Sequence, residues 1–205
     1  MVGMTGGIGC GKTTISDMFA QRGIAVVDTD VIAHQLTGVS GKAIPALVGI
    51  FGTGILAEDG ALDRVAMRQR AFADPSQRQH LEAILHPMIY TEAIAACQHV
   101  GKTSPYVLLV VPLLVEAGDR YQRHCQRILL IDCTEETQIR RVMARNRLSR
   151  LDVEKMLAAQ TTRATRQAIA TDVLVNEGAP TELSETVRQL DLKFRELAAE
   201  SHCFS

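Results

Sequence analysis

No stretch of this sequence approaches the roughly 18 consecutive apolar residues that a membrane-spanning helix needs. Met1-Val2-Gly3-Met4-Thr5-Gly6 carries neither a basic segment nor a long apolar run, so no secretory signal is expected. The five cysteines, Cys10, Cys97, Cys125, Cys133 and Cys203, are odd in number and form no CxxC pair. That argues against a disulfide framework or a structural zinc site and fits a reducing cytoplasm. The histidines show no HExxH or other ligand spacing. Internal repeats and low-complexity tracts are missing. Neither sign of charge dominates, because the net is −1, and this excludes a protein that coats nucleic acid by bulk charge. Hydrophobic residues make up 46% of 205 positions, enough for a sizeable core in one α/β domain with an insertion.

Met1–Thr5 is short and apolar, then glycines, then a helical pattern from Lys12 to Arg22 that Gly23 stops. Ile24–Val27 reads as the next strand and ends at Asp28-Thr29-Asp30. From about Leu36 to Gly101 strand signals are scarce, which predicts a helical insertion. Asp74 is placed to cap a helix with Pro75 at its first position, and His86-Pro87 is expected to break that helix. Tyr106–Val111 and Ile128–Ile131 are continuous apolar runs, as in strands buried on both faces of a parallel sheet. Glu135–Arg147 and Arg150–Arg166 read as two helices, and Val173–Val175 as a last strand. Leu183, Val187, Leu190, Phe194 and Leu197 form a core-facing helical stripe. Ser201–Ser205 reads only as a frayed end. Five strands alternating with helices predict a parallel five-stranded sheet wrapped by helices.

Gly6-Gly7-Ile8-Gly9-Cys10-Gly11-Lys12-Thr13 fits G-x-x-x-x-G-K-[ST] between a strand and a helix. A random chain of this length shows the pattern about once in a hundred. Glycines allow backbone N–H groups to approach phosphate oxygens, and the following helix offers its positive end. Lys12 can reach the β and γ phosphates of ATP, and the Thr13 hydroxyl can ligate Mg²⁺. Cys10 occupies a variable loop position and has no assigned chemistry.

Asp28 and Asp30 stand at the carboxyl end of a strand, where ligands bind in open α/β sheets. A carboxylate there can accept the proton of an attacking hydroxyl or hold Mg²⁺ through water. The alternative is that Asp30 is the N-cap of the helix beginning at Val31. Between Gln138 and Arg166 lie seven arginines and Lys155 against Asp152 and Glu154, a segment of about +6. Arginine suits bidentate phosphate clamping, and Arg141 and Arg145 share a helix face. A lid that closes over ATP is one reading and a solvated helix face the other. An RNA-binding arm lacks support, since the segment holds no aromatics. Asp132 superficially matches the Mg²⁺ aspartate of P-loop ATPases, but no DxxG or NKxD supports a guanine switch.

The chain resembles the dephospho-CoA kinase family over nearly its whole length. The residues that carry the likeness are Thr5–Thr14, Val27–His34, Asp59-Gly60-Ala61-Leu62-Asp63-Arg64, His86-Pro87, Val111–Glu116, Arg141–Arg145, Ala159-Gln160, Arg163 and Asp172–Asn176. The resemblance implies transfer of the ATP γ-phosphate to the ribose 3′-hydroxyl of dephospho-CoA in the cytoplasm, with Mg²⁺ and without nucleic-acid or membrane partners. It implies a nucleotide core at 1–35 and 104–205, a helical substrate domain at 36–103, and a lid at 135–166. Asp30, Lys12 and Arg141 are its implied catalytic group. Gly7, Gly9, Cys10, Gly11, Thr13, Thr14, Arg145 and Asn176 fall in the ATP site, and Arg64, His86, Pro112, Leu113 and Glu116 near the substrate. Two positions depart from the family pattern: Val115 stands where Phe is usual, and Cys10 where Ser is usual. The family has no ordinary Mg²⁺ aspartate on its third strand, which agrees with Pro112 and leaves Asp132 a structural role. Another P-loop small-molecule kinase, of nucleotide or shikimate type, and a nucleotide-dependent switch protein are the competing expectations.

Overall fold

The computed structural model describes residues 1–203, apart from the side chains of Phe72, Pro180 and residues 201–203. Phe204 and Ser205, part of the tail expected to fray, lie outside the described residues. Two compact units divide the chain: Met1–Val27 with the segment from Cys97 onward, and Asp28–Ala96.

The first unit is built on a parallel sheet. Its strands are β1 (Val2–Thr5), β2 (Ala25–Asp28), β3 (Val107–Val110), β4 (Arg127–Asp132) and β5 (Asp172–Val175), in the order β2-β3-β1-β4-β5. β1 runs parallel to β3 and β4, and β4 to β5. β1 and β3 are buried throughout and β4 from Ile128 onward, whereas the edge strand β5 alternates buried and exposed residues. This is why the central strands are continuous apolar runs. Helix α1 (Lys12–Gln21) follows β1. The last helix, α10 (Pro180–Cys203), packs Leu183, Val187 and Phe194 into the core. Phe194 stacks on Phe19 and meets Tyr106 edge-on, with centroids 6.4 and 5.7 Å apart.

The second unit is helical: α2 (Thr29–Leu36), α3 (Ile44–Phe51), a 3₁₀ turn at Thr53–Ile55, α4 (Arg64–Ala73) and most of α5 (Pro75–Val100). Asp63 caps α4 by accepting from the Val65 and Ala66 amides. Asp74 accepts from the Ser76 amide at the start of α5. Pro87 does not break α5 as expected; the helix runs through it. A single proline removes one amide donor and leaves the Ala83 carbonyl without its usual helical partner, and the long helix accommodates that defect.

The chain after β3 carries the remaining helices: α6 (Asp119–Gln122), α7 (Glu135–Asn146), α8 (Arg150–Ala158) and α9 (Arg163–Ile169). The single helix expected over Arg150–Arg166 is therefore two. Thr162 caps the second by accepting from the Thr165 amide, and the intervening residues spend their polar groups elsewhere. Ile139, Val142 and Val153 form a small apolar cluster between α7 and α8, against which Ile8, Leu148 and Leu157 pack. No described helix is long and apolar enough to cross a membrane.

Candidate active site

The loop after β1 takes its shape from glycines. Gly9 and Gly11 have φ of 78° and 87°, left-handed conformations that side chains resist. A Cβ on Gly11 would also overlap the Asn176 amide nitrogen. Gly11 is the residue from which α1 starts, so the positive end of α1 begins at the loop. The Lys12 ammonium lies 2.8 Å from the Gly6 carbonyl oxygen and 3.2 Å from that of Gly7. Thr13 and Thr14 are exposed at the first turn of α1. The Thr13 hydroxyl is a hard oxygen of the kind Mg²⁺ prefers.

Residues distant in sequence hold this loop. Asn176, buried after β5, donates from Nδ2 to the Cys10 carbonyl at 2.7 Å. Arg141 on α7 donates to the Gly9 carbonyl at 3.4 Å and to the Asn176 carbonyl at 3.0 Å. Gln138, one turn earlier, donates to the Ile8 carbonyl at 2.7 Å, while the Ile8 amide donates to Gln160 Oε1 at 3.1 Å. One residue of the loop, Ile8, is thus gripped at its carbonyl by α7 and at its amide by the α8–α9 junction. Arg166 is buried near Gly7 and donates to the Thr161 carbonyl. Arg145, on the same expected face as Arg141, is exposed and donates to the Asn146 side chain. Gln138 was not singled out from sequence, and Gln160 entered only as part of the family resemblance, without a role. The only available signal was the spacing of Gln138, Arg141 and Arg145 along one helix face.

Asp132 receives both Arg163 Nε and Nη2, the shortest contact being 2.7 Å, and also Gln167 Nε2. The hydrogen bonds from Arg163 to Asp132 raise the guanidinium pKa further. Asp132 therefore serves as a buried anchor for α9. Glu116 accepts from the Thr161 amide at 2.9 Å, tying the α8–α9 junction to the chain after β3. Burial pushes the Glu116 carboxyl up, but the amide of Thr161 and further hydrogen bonds outweigh it, and the carboxyl sits below its ordinary value. The Pro112 carbonyl accepts from the Thr5 hydroxyl, and Leu113 is exposed.

In the helical unit the cap is Asp28, not Asp30: its carboxylate accepts from the Asp30 amide at 2.8 Å. The helix starts at Thr29, earlier than the apolar pattern suggested, so Asp30 lies exposed within its first turn. Arg64 donates to the Thr37 hydroxyl at 2.7 Å. Desolvation lowers its pKa, while Asp30 acts in the opposite sense. Arg64 also lines a cavity of about 560 Å³ together with Leu62, Met67, Arg68, Arg78 and Leu85. That cavity is mostly apolar with cationic heads at its wall. His86 is exposed on α5 and does not line it. No cluster of metal-binding side chains occurs among the described residues.

A sequence model of the dephospho-CoA kinase family matches residues 1–182. A dephospho-CoA kinase from Dechloromonas aromatica strain RCB is 49% identical over 200 residues, covering 98% of this chain and 95% of the relative. Among solved structures, TT1252 from Thermus thermophilus matches with a TM-score of 0.77 at 30% identity, covering 94% of this chain and 96% of its own. Dephospho-CoA kinase from Campylobacter jejuni matches with a TM-score of 0.71 at 20% identity, covering 95% and 96% respectively, a likeness that speaks to the fold.

Proposed function

This chain belongs to the dephospho-CoA kinase family, and we propose on that premise that it transfers the ATP γ-phosphoryl group to the ribose 3′-hydroxyl of dephospho-CoA, completing coenzyme A. The observation that carries the reading is the glycine loop braced by Asn176 and Arg141, with Lys12 at the same loop.

Phosphoryl transfer asks a protein for positioning and charge stabilisation rather than covalent chemistry. In this reading the amides of Gly7, Gly9, Cys10, Gly11, Thr13 and Thr14 cradle the phosphates, and Lys12 contacts the β and γ groups. Arg141 stabilises the charge that develops on the transferring group, and Arg145 joins it when the segment 135–166 closes as a lid. Asn176 lies beside the adenine. Thr13 would hold Mg²⁺, which would supply neutralisation of the phosphate charge. Asp30 accepts the proton of the attacking hydroxyl. Arg64 with the cavity it lines, His86, Pro112, Leu113 and Glu116 are the residues this reading assigns to the acceptor. The segments 1–35 and 104–205 act as nucleotide core and 36–103 as substrate domain. The four described cysteines are free thiols, in keeping with a cytoplasmic setting.

The direct test is a coupled assay of ADP release with ATP and Mg²⁺. Release should depend on dephospho-CoA, and no stimulation by it would sink the proposal. Shikimate and nucleosides, offered in parallel, should give no stimulation. Asp30→Asn should lower kcat about 100-fold or more, the range expected for removal of a general base, with ATP affinity nearly unchanged. Near-normal kcat would show that Asp30 is not the base.

A further inference from the structure

The mechanism leaves unused the side chain at Cys10, a thiol in the middle of the phosphate loop. Its sulfur lies 3.0 Å from that of Cys133, which donates its thiol hydrogen. Both residues are almost wholly buried, at 2% and 1% exposure. Cys133 follows β4 directly. We propose that Cys10 and Cys133 are an oxidative modification site: a hydroperoxide converts the two thiols to a disulfide that deforms the phosphate loop and weakens nucleotide binding.

Geometry supplies the first argument. A disulfide needs its sulfurs about 2 Å apart, so bonding requires roughly 1 Å of approach. Cys10 sits between Gly9 and Gly11, which tolerate a wide range of backbone angles and let it move. The movement is not harmless. The Cys10 amide donates to the Gly7 carbonyl at 3.2 Å, and the Cys10 carbonyl accepts from Asn176 at 2.7 Å. Displacement of Cys10 changes both, and with them the direction of the loop amides that would face phosphate. Misplacement of that size in a catalytic site can cost about 100-fold.

Environment supplies the second. The hydrogen bond from Cys133 lowers the Cys10 thiol pKa, burial opposes this, and the Lys12 charge adds to the lowering. The same bond pushes Cys133 up. Cys10 is therefore the attacking sulfur and Cys133 the resolving one. Burial lifts Cys97 and Cys125 to about 11, so they are the slower thiols of the chain.

The steps balance. Cys10 thiolate attacks one peroxide oxygen; the S–O bond forms, the O–O bond breaks, and the leaving hydroxide takes a proton to become water. The Cys133 sulfur then attacks the Cys10 sulfenic acid; the S–S bond forms, the S–O bond breaks, and a second water leaves with the Cys133 proton. Two thiols and hydrogen peroxide give one disulfide and two waters. A dithiol reductant reverses the change.

The full chain should be treated with hydrogen peroxide, quenched with catalase, and digested without reductant. A peptide joining Cys10 to Cys133, lighter by two hydrogens than the two thiol peptides, is expected. ATP affinity, read from ATP-induced thermal stabilisation, should fall at least 10-fold and return with dithiothreitol. Cys133→Ser and Cys133→Ala should keep their ATP response after the same treatment. The proposal is overturned if the joined peptide is missing, if it forms while ATP affinity stays unchanged, or if either variant loses its ATP response as the parent does. Because the readout is ATP binding, the result is independent of which acceptor the enzyme uses.

Discussion

Asn176 is buried after β5, and its side chain spans two partners: Nδ2 gives to the Cys10 carbonyl at 2.7 Å, and Oδ1 lies 3.5 Å from Arg141 Nη2. Replacement by alanine leaves a buried loop carbonyl without its donor, which costs about 1–3 kcal/mol. Asn176→Ala should therefore lower the melting temperature and weaken ATP binding on the order of 10-fold, read by calorimetry and by nucleotide titration. An ATP affinity within twofold of the parent would show that the amide does not shape the loop. The resemblance placed Asn176 near adenine, but its hold on Cys10 depends on chain order in the sheet and could not be read from a linear sequence. Arg141 was legible from charge and spacing. Arg145 shared that spacing, yet it extends to Asn146 because a helix face is wider than a single contact. Asp28 took the capping role that was the alternative reading of Asp30 because the first turn includes Thr29, and helix ends are set by backbone pairing more than by the apolar pattern.

At the scale of elements, the junction between α8 and α9 is where local reasoning failed and where the site gains its braces. Residues 159–162 read as helical, but Gln160 and Thr161 are committed to Ile8 and Glu116, contacts more than 40 residues away in sequence. Thr162 then restarts the helix. Its loss to alanine should cost about 1 kcal/mol, the ordinary value of an N-cap. The stronger test concerns Arg163, which reaches from the first turn of α9 to the buried Asp132. Arg163→Ala leaves that carboxylate with Gln167 alone among the described side-chain partners. Half the arginine side chain is exposed, so solvent discounts the pair, and on the order of 1–2 kcal/mol is expected from urea unfolding. Adding Asp132→Asn should recover part of the loss, because the buried charge goes with it. Strictly additive losses would contradict the coupling. The uninterrupted α5 shows the converse case: His86-Pro87 is a strong local stop signal, and a 26-residue helix overrides it.

Over the whole molecule, the parallel sheet was the most legible feature, because strands covered on both faces must be apolar throughout and no other element demands that over so few residues. Less legible were the polar networks that fasten α10 to the sheet unit. Asp191 is buried and meets Arg22, Arg195 and the Tyr106 hydroxyl. Asp172, at the start of β5, meets Arg127 at 2.9 Å and Lys193 at 2.5 Å. Asp191 belongs to no motif, and Asp172 entered only as part of the run that resembles the family, without a role; each acquires its partners only through folding. Their consequence is acid sensitivity. Burial alone raises the Asp172 carboxyl, but hydrogen bonds from Arg127, Lys193 and Thr171 prevail and hold it below its ordinary value of 3.8. A carboxyl depressed in the folded state favours folding above its unfolded pKa and loses that effect as pH falls through the folded value. Asp172→Asn should accordingly melt below the parent at pH 7. The gap between the two should begin to narrow as pH falls below about 4, where the unfolded carboxyl takes up its proton, and should go on closing as pH falls through the depressed folded value. Melting curves from pH 7 down to pH 3 check this, and a gap that stays constant or widens toward acid would mean that the charge of Asp172 does not stabilise the fold.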